Sequence, residues 1–157
     1  MRFRNAKTPQ RRGVASVELA ALLPLLVLLL LGTWEVGRLV DVQQSITNAA
    51  REGGRQASTG TKSVAQVQQA VTNYLARAGL PTTNVVVTVS NATDTSRPEP
   101  YGANQLDRFR VDVTMPFNDV RWVMINNFTS GYSIRSKSVW MSNRDIPVTL
   151  GTAIPNG

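Results

Sequence analysis

The chain contains no cysteine and no histidine among its 157 residues. Without cysteine, no disulfide braces an external domain and no thiolate serves as nucleophile or metal ligand. Without histidine, the commonest general base and metal ligand is missing. The expectation is therefore a protein that is not an enzyme, with no cofactor and no metal site. A third absence is local: from Leu19 to Leu31 there is no charged residue. A soluble helix at the surface of a domain keeps a polar face toward water, and this stretch has none. A fourth is the small-residue A-x-A pattern that a cleaved secretory signal carries just after its apolar run. Here the run is followed by Gly32-Thr33-Trp34-Glu35, so the segment is expected to stay attached to the chain.

What is present centres on Arg11–Trp34, RRGVASVELAALLPLLVLLLLGTW. The apolar block is Leu19, Leu22, Leu23, Pro24, Leu25, Leu26, Val27, Leu28, Leu29, Leu30 and Leu31. Counted from Val14 to Trp34 the stretch has 21 residues, and about 20 cross the hydrocarbon layer as a helix. The first thirteen residues hold Arg2, Arg4, Lys7, Arg11 and Arg12 and no acid. Positive flanks stay on the cytoplasmic side, which puts the amino terminus inside and the rest of the chain outside. The net charge of +7 comes largely from this leader. Beyond residue 13 the chain is close to balanced, so its basicity points to anionic membrane lipid rather than to a nucleic acid.

Two residues of the span need their own account. Pro24 removes one backbone donor and crowds the carbonyl of Ala20, which membrane helices tolerate as a kink. Glu18 puts a carboxylate near the start of the span, at a cost of about 2.5–3.5 kcal/mol at the bilayer centre and less toward the surface. Either it lies in the headgroup zone or beside Arg11 or Arg12, or it meets a positive group on another subunit. A cut after Gly13 would create such a group, the amine of Val14, with Glu18 as the fifth residue of the shortened chain.

A basic leader ending in Gly13, Glu18 five residues later and an immediate apolar helix resemble the signal of type IV pilin-like proteins. Arg12-Gly13-Val14-Ala15-Ser16-Val17-Glu18-Leu19-Ala20, the following leucines, Pro24 and the Gln43-to-Arg55 segment resemble more closely the TadE-like minor pilins (pseudopilins) of the tight-adherence, Flp-type pilus system. The resemblance covers mainly residues 12–55. It implies processing by a prepilin peptidase between Gly13 and Val14, and a role for Glu18 in processing or subunit register. Its implied partners are that peptidase, other pilin and minor pilin subunits, the Tad inner-membrane assembly machinery and membrane lipid. The implied location is the bacterial inner membrane, with a periplasmic head and possible incorporation in a pilus at the cell surface. Leu19 stands where the small major pilin has a tyrosine beside the glutamate, and the external part here is much longer.

Beyond Trp34, which suits the membrane interface, apolar or small residues recur at helical spacing from Val36 through Ala49-Ala50 to Gly53. The membrane helix is expected to continue as an amphipathic stalk, whose small end allows close approach of another helix or simply stops at Gly53-Gly54. Ser-Thr-Gly-Thr-Lys at 58–62 reads as a turn, with Ser63 as the N-cap of a helix to Ala78 that ends at Gly79 and Pro81. Val85, Val87 and Val89 mark a strand, and residues 90–104 a long exposed loop. In the next strand Phe109, Val111, Val113 and Met115 point inward and Arg108, Arg110, Asp112 and Thr114 outward. A short helix is expected from Asp119 with Val120, Val123, Met124 and Phe128 on one face. The last strand, 132–142, loses its alternation between Ile134 and Val139, which suggests a bulge. The fold class is then α+β: a long N-terminal transmembrane and stalk helix, and a small head with a three-stranded, mostly antiparallel sheet. The divisions are 1–13 leader, 14–34 transmembrane helix, 35–57 stalk and 58–157 extracytoplasmic head.

Other candidates carry a weaker signal. Asp94, Glu99 and Asp107 would have to gather to hold calcium, but they lack the spacing of a calcium loop. Asn91-Ala92-Thr93 and Asn127-Phe128-Thr129 match the glycosylation acceptor by a pattern short enough to arise by chance. Arg108, Arg110, Arg135 and Lys137 would share the outer face of the sheet and could bind phosphate or an acidic partner, although exposed strands use such charges to stay soluble. The alternative to a pilin is an uncleaved, signal-anchored envelope protein acting as a binding module or scaffold.

Overall fold

The computed structural model describes residues 12–121 and 131–144. The basic leader to Arg11, residues 122–130 of the short helix expected from Asp119, and the tail beyond Arg144 lie outside the described residues. The chain divides into two compact units, Met1–Gly37 and Arg38–Gly157. One helix, α1 (Arg12–Ser58), supplies residues to both. It passes through Pro24 and through Gly53-Gly54 without ending, so the glycine pair is not its stop.

In the first unit α1 has no inward side. Every residue from Gly13 to Trp34 is exposed, as the lack of any polar stripe among the leucines requires. Thr33 satisfies its hydroxyl locally by donating to the Leu29 carbonyl, at 2.8 Å, which leaves its side of the helix compatible with an apolar surrounding.

The second unit is an α+β head. Its strands are β1 (Val86–Asn91), β2 (Arg108–Pro116) and β3 (Ser133–Met141). They form an antiparallel meander in the order β1-β2-β3. In β2 the strict alternation of apolar and polar residues buries Phe109, Val111, Val113 and Met115. The second helix, α2 (Val64–Arg77), starts at a capping box in which Ser63 accepts from the Gln66 backbone N–H and the Gln66 side chain accepts from the Ser63 N–H. That reciprocal pair satisfies two donors that a helix start leaves open. Beyond its end, Gly79 adopts φ 74°, a left-handed conformation that glycine takes without a Cβ penalty.

The core lies between the inner face of the sheet and the two helices. From α1 it takes Val42, Ile46, Ala49, Ala50 and Ala57, and from α2 Val67, Val71 and Leu75. Close approach of α1 needs the glycines. A Cβ on Gly53 would lie 2.5 Å from Val71 Cγ2 and 3.1 Å from Val111 Cγ1, and one on Gly54 would run into the Trp140 ring. The small end of this helix thus meets the protein's own second helix and sheet.

The bulge expected in the last strand does not form. Pairing runs without interruption from Arg108↔Met141 to Pro116↔Ser133. The alternation slips because Ser136 and Ser138 occupy inward positions. The Ser136 hydroxyl hydrogen-bonds Thr47 on α1 at 3.2 Å, and Ser138 accepts from the Trp140 indole N–H at 2.8 Å. Each hydroxyl therefore has a polar partner on the inner face. The 3-10 turn Phe117–Asp119 ends at Asp119, with Val120 as its C-cap, so no helix begins at Asp119 within the described residues.

Candidate functional site

The first candidate is the start of α1. Gly13 lies in its first turn with nothing within 4 Å of an added Cβ. Val14 is 61% exposed, and Glu18 stands one helical turn further on, also exposed. Gly13 and Val14 both lie on the exposed surface of the helix. Next come Leu19, Leu22, Leu23, Pro24, Leu25, Leu26, Val27, Leu28, Leu29, Leu30 and Leu31, all on an exposed helix surface. Gly13–Ser58 is a helix long and apolar enough to cross a membrane. A surface of this composition lowers its free energy only by leaving water, at about 25 cal/mol per Å². A lipid bilayer or the matching helices of neighbouring subunits both provide that. This segment anchors the chain in a membrane.

The acids of the long loop do not converge. Asp94 Oδ1 accepts from the Ser96 hydroxyl and backbone N–H, at 2.6 and 2.9 Å, and these bonds hold its carboxyl below the usual range. Glu99 accepts from the Val64 N–H at 2.8 Å and so ties the loop to the first turn of α2. Asp107 is buried and accepts from the Asn91 side chain and the Asn104 N–H. Each carboxylate is occupied with a local backbone or amide donor. Among the described residues, no group of three metal-ligating side chains forms. Asn91 itself is buried at 3% exposure, and its amide nitrogen donates to the Arg97 carbonyl and to Asp107. It is closed to glycosylation, which fits a chance match. The second acceptor pattern, Asn127-Phe128-Thr129, lies outside the described residues.

The four cations of the sheet do come together. Arg108, Arg110, Arg135 and Lys137 all lie on the outward face and are exposed. Arg110 Nε is 3.4 Å from Asp112 Oδ2.

One feature carries no sequence motif. Leu39, Val40 and Gln43 of α1 line an apolar hollow of about 610 Å³ with Phe117, Tyr132 and Ile134. The adjacent apolar pair Leu39-Val40, too wide for one stripe of an amphipathic helix, is the only trace of it in the sequence.

Nearby on α1, Glu52 is held by Arg55 at 2.7 Å and by Gln56 at 2.6 Å. The hydrogen bond from Arg55 is the main reason that its carboxyl is lowered from 4.5 to about 2.

Comparison with known proteins adds one finding. Residues 13–55 match the model of a family described as TadE-like protein, over the stretch where the resemblance was seen. No curated protein and no solved structure matches the chain.

Proposed function

We propose, from the TadE-like match over residues 13–55, that this chain is a structural minor pilin (pseudopilin) of a Tad-type pilus, with no catalytic activity of its own. A prepilin peptidase removes the leader between Gly13 and Val14. Before assembly the apolar helix stores the subunit in the inner membrane, amino terminus inside and head in the periplasm. On extraction by the assembly machinery the same leucine surface passes to neighbouring subunits. Glu18 sets axial register by pairing with the free amine of the next subunit's Val14, a charge pair that a low-dielectric bundle strengthens.

The observation that carries this reading is the match of residues 13–55 to the TadE-like family, together with a helix surface that is fully exposed from Gly13 to Trp34. The test is the amino-terminal sequence of the membrane-extracted protein from cells with and without a prepilin peptidase. A chain starting at Val14 only in the presence of the peptidase supports the pilin pathway. A chain that keeps its leader in both cells leaves a signal-anchored binding module.

A further inference from the structure

We propose that the outward face of the sheet docks an extended acidic segment of a partner protein. The register of β2 and β3 sets the cations in a line. Across this face Arg108 stands opposite Met141, Arg110 opposite Val139, Asp112 opposite Lys137, and Thr114 opposite Arg135. Each of four successive rows therefore carries one cation, in the order Arg108, Arg110, Lys137, Arg135. Rows on one face are two residues apart, about 7 Å, so the line is about 20 Å long.

Solubility alone does not account for this pattern. Mixed signs keep a surface soluble, whereas here four cations face one carboxylate, Asp112, which is paired with Arg110. Edge protection accounts only for Arg135 and Lys137 on the edge strand β3, and not for Arg108 and Arg110 on the central strand. Like charges at neighbouring positions of a sheet repel, and an anionic partner relieves that repulsion.

The chemistry of the partner follows from what lies between the cations. Val139 and Met141 are about half exposed on the same face, and Leu106 is 65% exposed beside them. Leu106 is held at φ 67°, a strained conformation for a bulky residue, and it lines a depression together with Arg108, Arg110, Lys137 and Val139. Polyphosphate has nothing apolar to set against these groups. Single-stranded nucleic acid stacks its bases on aromatic rings, and the strand residues of this face include none. An extended peptide places alternate side chains about 7 Å apart, the spacing of the rows. It therefore matches each cation with a glutamate, whose methylene groups lie over the apolar side chains between the rows.

The proposal is independent of the processing at Gly13 and of Glu18. Its test uses the full chain in uncharged detergent micelles and a labelled peptide of alternating glutamate and valine, with the glutamine version, polyphosphate and an oligothymidylate as competitors. The glutamate peptide is expected to bind, and to weaken about tenfold between about 50 and 200 mM salt. Arg108→Gln with Lys137→Gln should lower affinity about tenfold or more, and Val139→Ser should lower it for the peptide alone. Asp112→Asn should raise it, because Arg110 loses its internal partner. That last variant separates a lost site from a lost fold. Three results would overturn the proposal: no peptide binding, binding indifferent to Arg108 and Lys137, or tighter binding of polyphosphate or oligothymidylate through the same residues.

Discussion

At the scale of single residues, the positions that matter most are small or charged. Gly53 faces Val67, Val71 and Val111, and valine side chains are stiff about χ1. Gly53→Ala should therefore destabilise the head by about 1–3 kcal/mol through overpacking, more than the ~1 kcal/mol that alanine gains in helix propensity. Thermal unfolding followed by circular dichroism measures the balance, and a raised Tm would contradict the packing. Glu52 makes the opposite kind of contribution. Because its carboxyl is lowered from 4.5 to about 2, the Arg55 pair stabilises the fold fully above pH 4.5 and fades as pH falls toward 2. Solvent reaches both side chains, so the contribution is small. Glu52→Gln should remove that part of the acid dependence and leave stability at higher pH lower by a similar amount. For Glu18→Ala, membrane insertion should persist while incorporation into the fibre drops. Fractionation and quantification of sheared fibres would separate the two, and normal incorporation would sink the register role.

Among the elements, those whose burial is one-sided and regular were legible in the sequence. The central strand buries Phe109, Val111, Val113 and Met115 just as its alternation reads. Ser63, read as an N-cap, marks the start of α2, and the structure adds Gln66 as its capping-box partner. Ser63→Ala should lower head stability by about 1 kcal/mol, visible as a shifted denaturation midpoint. What escaped the sequence was decided by neighbours far along the chain. Ser136 and Ser138 look like a broken alternation until Thr47 and Trp140 are placed beside them. Gly53-Gly54 reads in the sequence either as a close approach or as a stop, and only α2 and Trp140, in the space that a Cβ would need, decide for the approach. Local periodicity reports which face is buried but says nothing about how close the opposing element comes. The same holds for the sheet cations: the sequence places them outward, while only the strand register sets them in one line.

For the whole molecule, α1 serves two chemistries. Its first part supplies the exposed apolar surface that a membrane covers, and residues from Val42 to Ala57 form part of the head's core. A fragment of residues 38–157 should therefore unfold in one cooperative transition. A fragment of residues 59–157 loses the side chains that cover the sheet, and should show neither cooperative melting nor protected amides. Hydrogen exchange on the two fragments would decide this, and equal protection in both would show that the helix is dispensable.

Two hydrogen bonds that join α1 to β3 link residues far apart in the chain. Gln43 donates to the Arg135 carbonyl across 92 positions, and Thr47 meets Ser136 across 89. The ribosome therefore delivers one wall of the head first and the opposite wall last. Through nearly the whole of synthesis the Val42–Ile46–Ala49 side of the helix waits uncovered, and quality-control proteases meet that surface in every chain that stops early. A premature stop anywhere before Met141 should leave an inserted anchor with no durable head, cleared from the membrane before it competes with complete subunits.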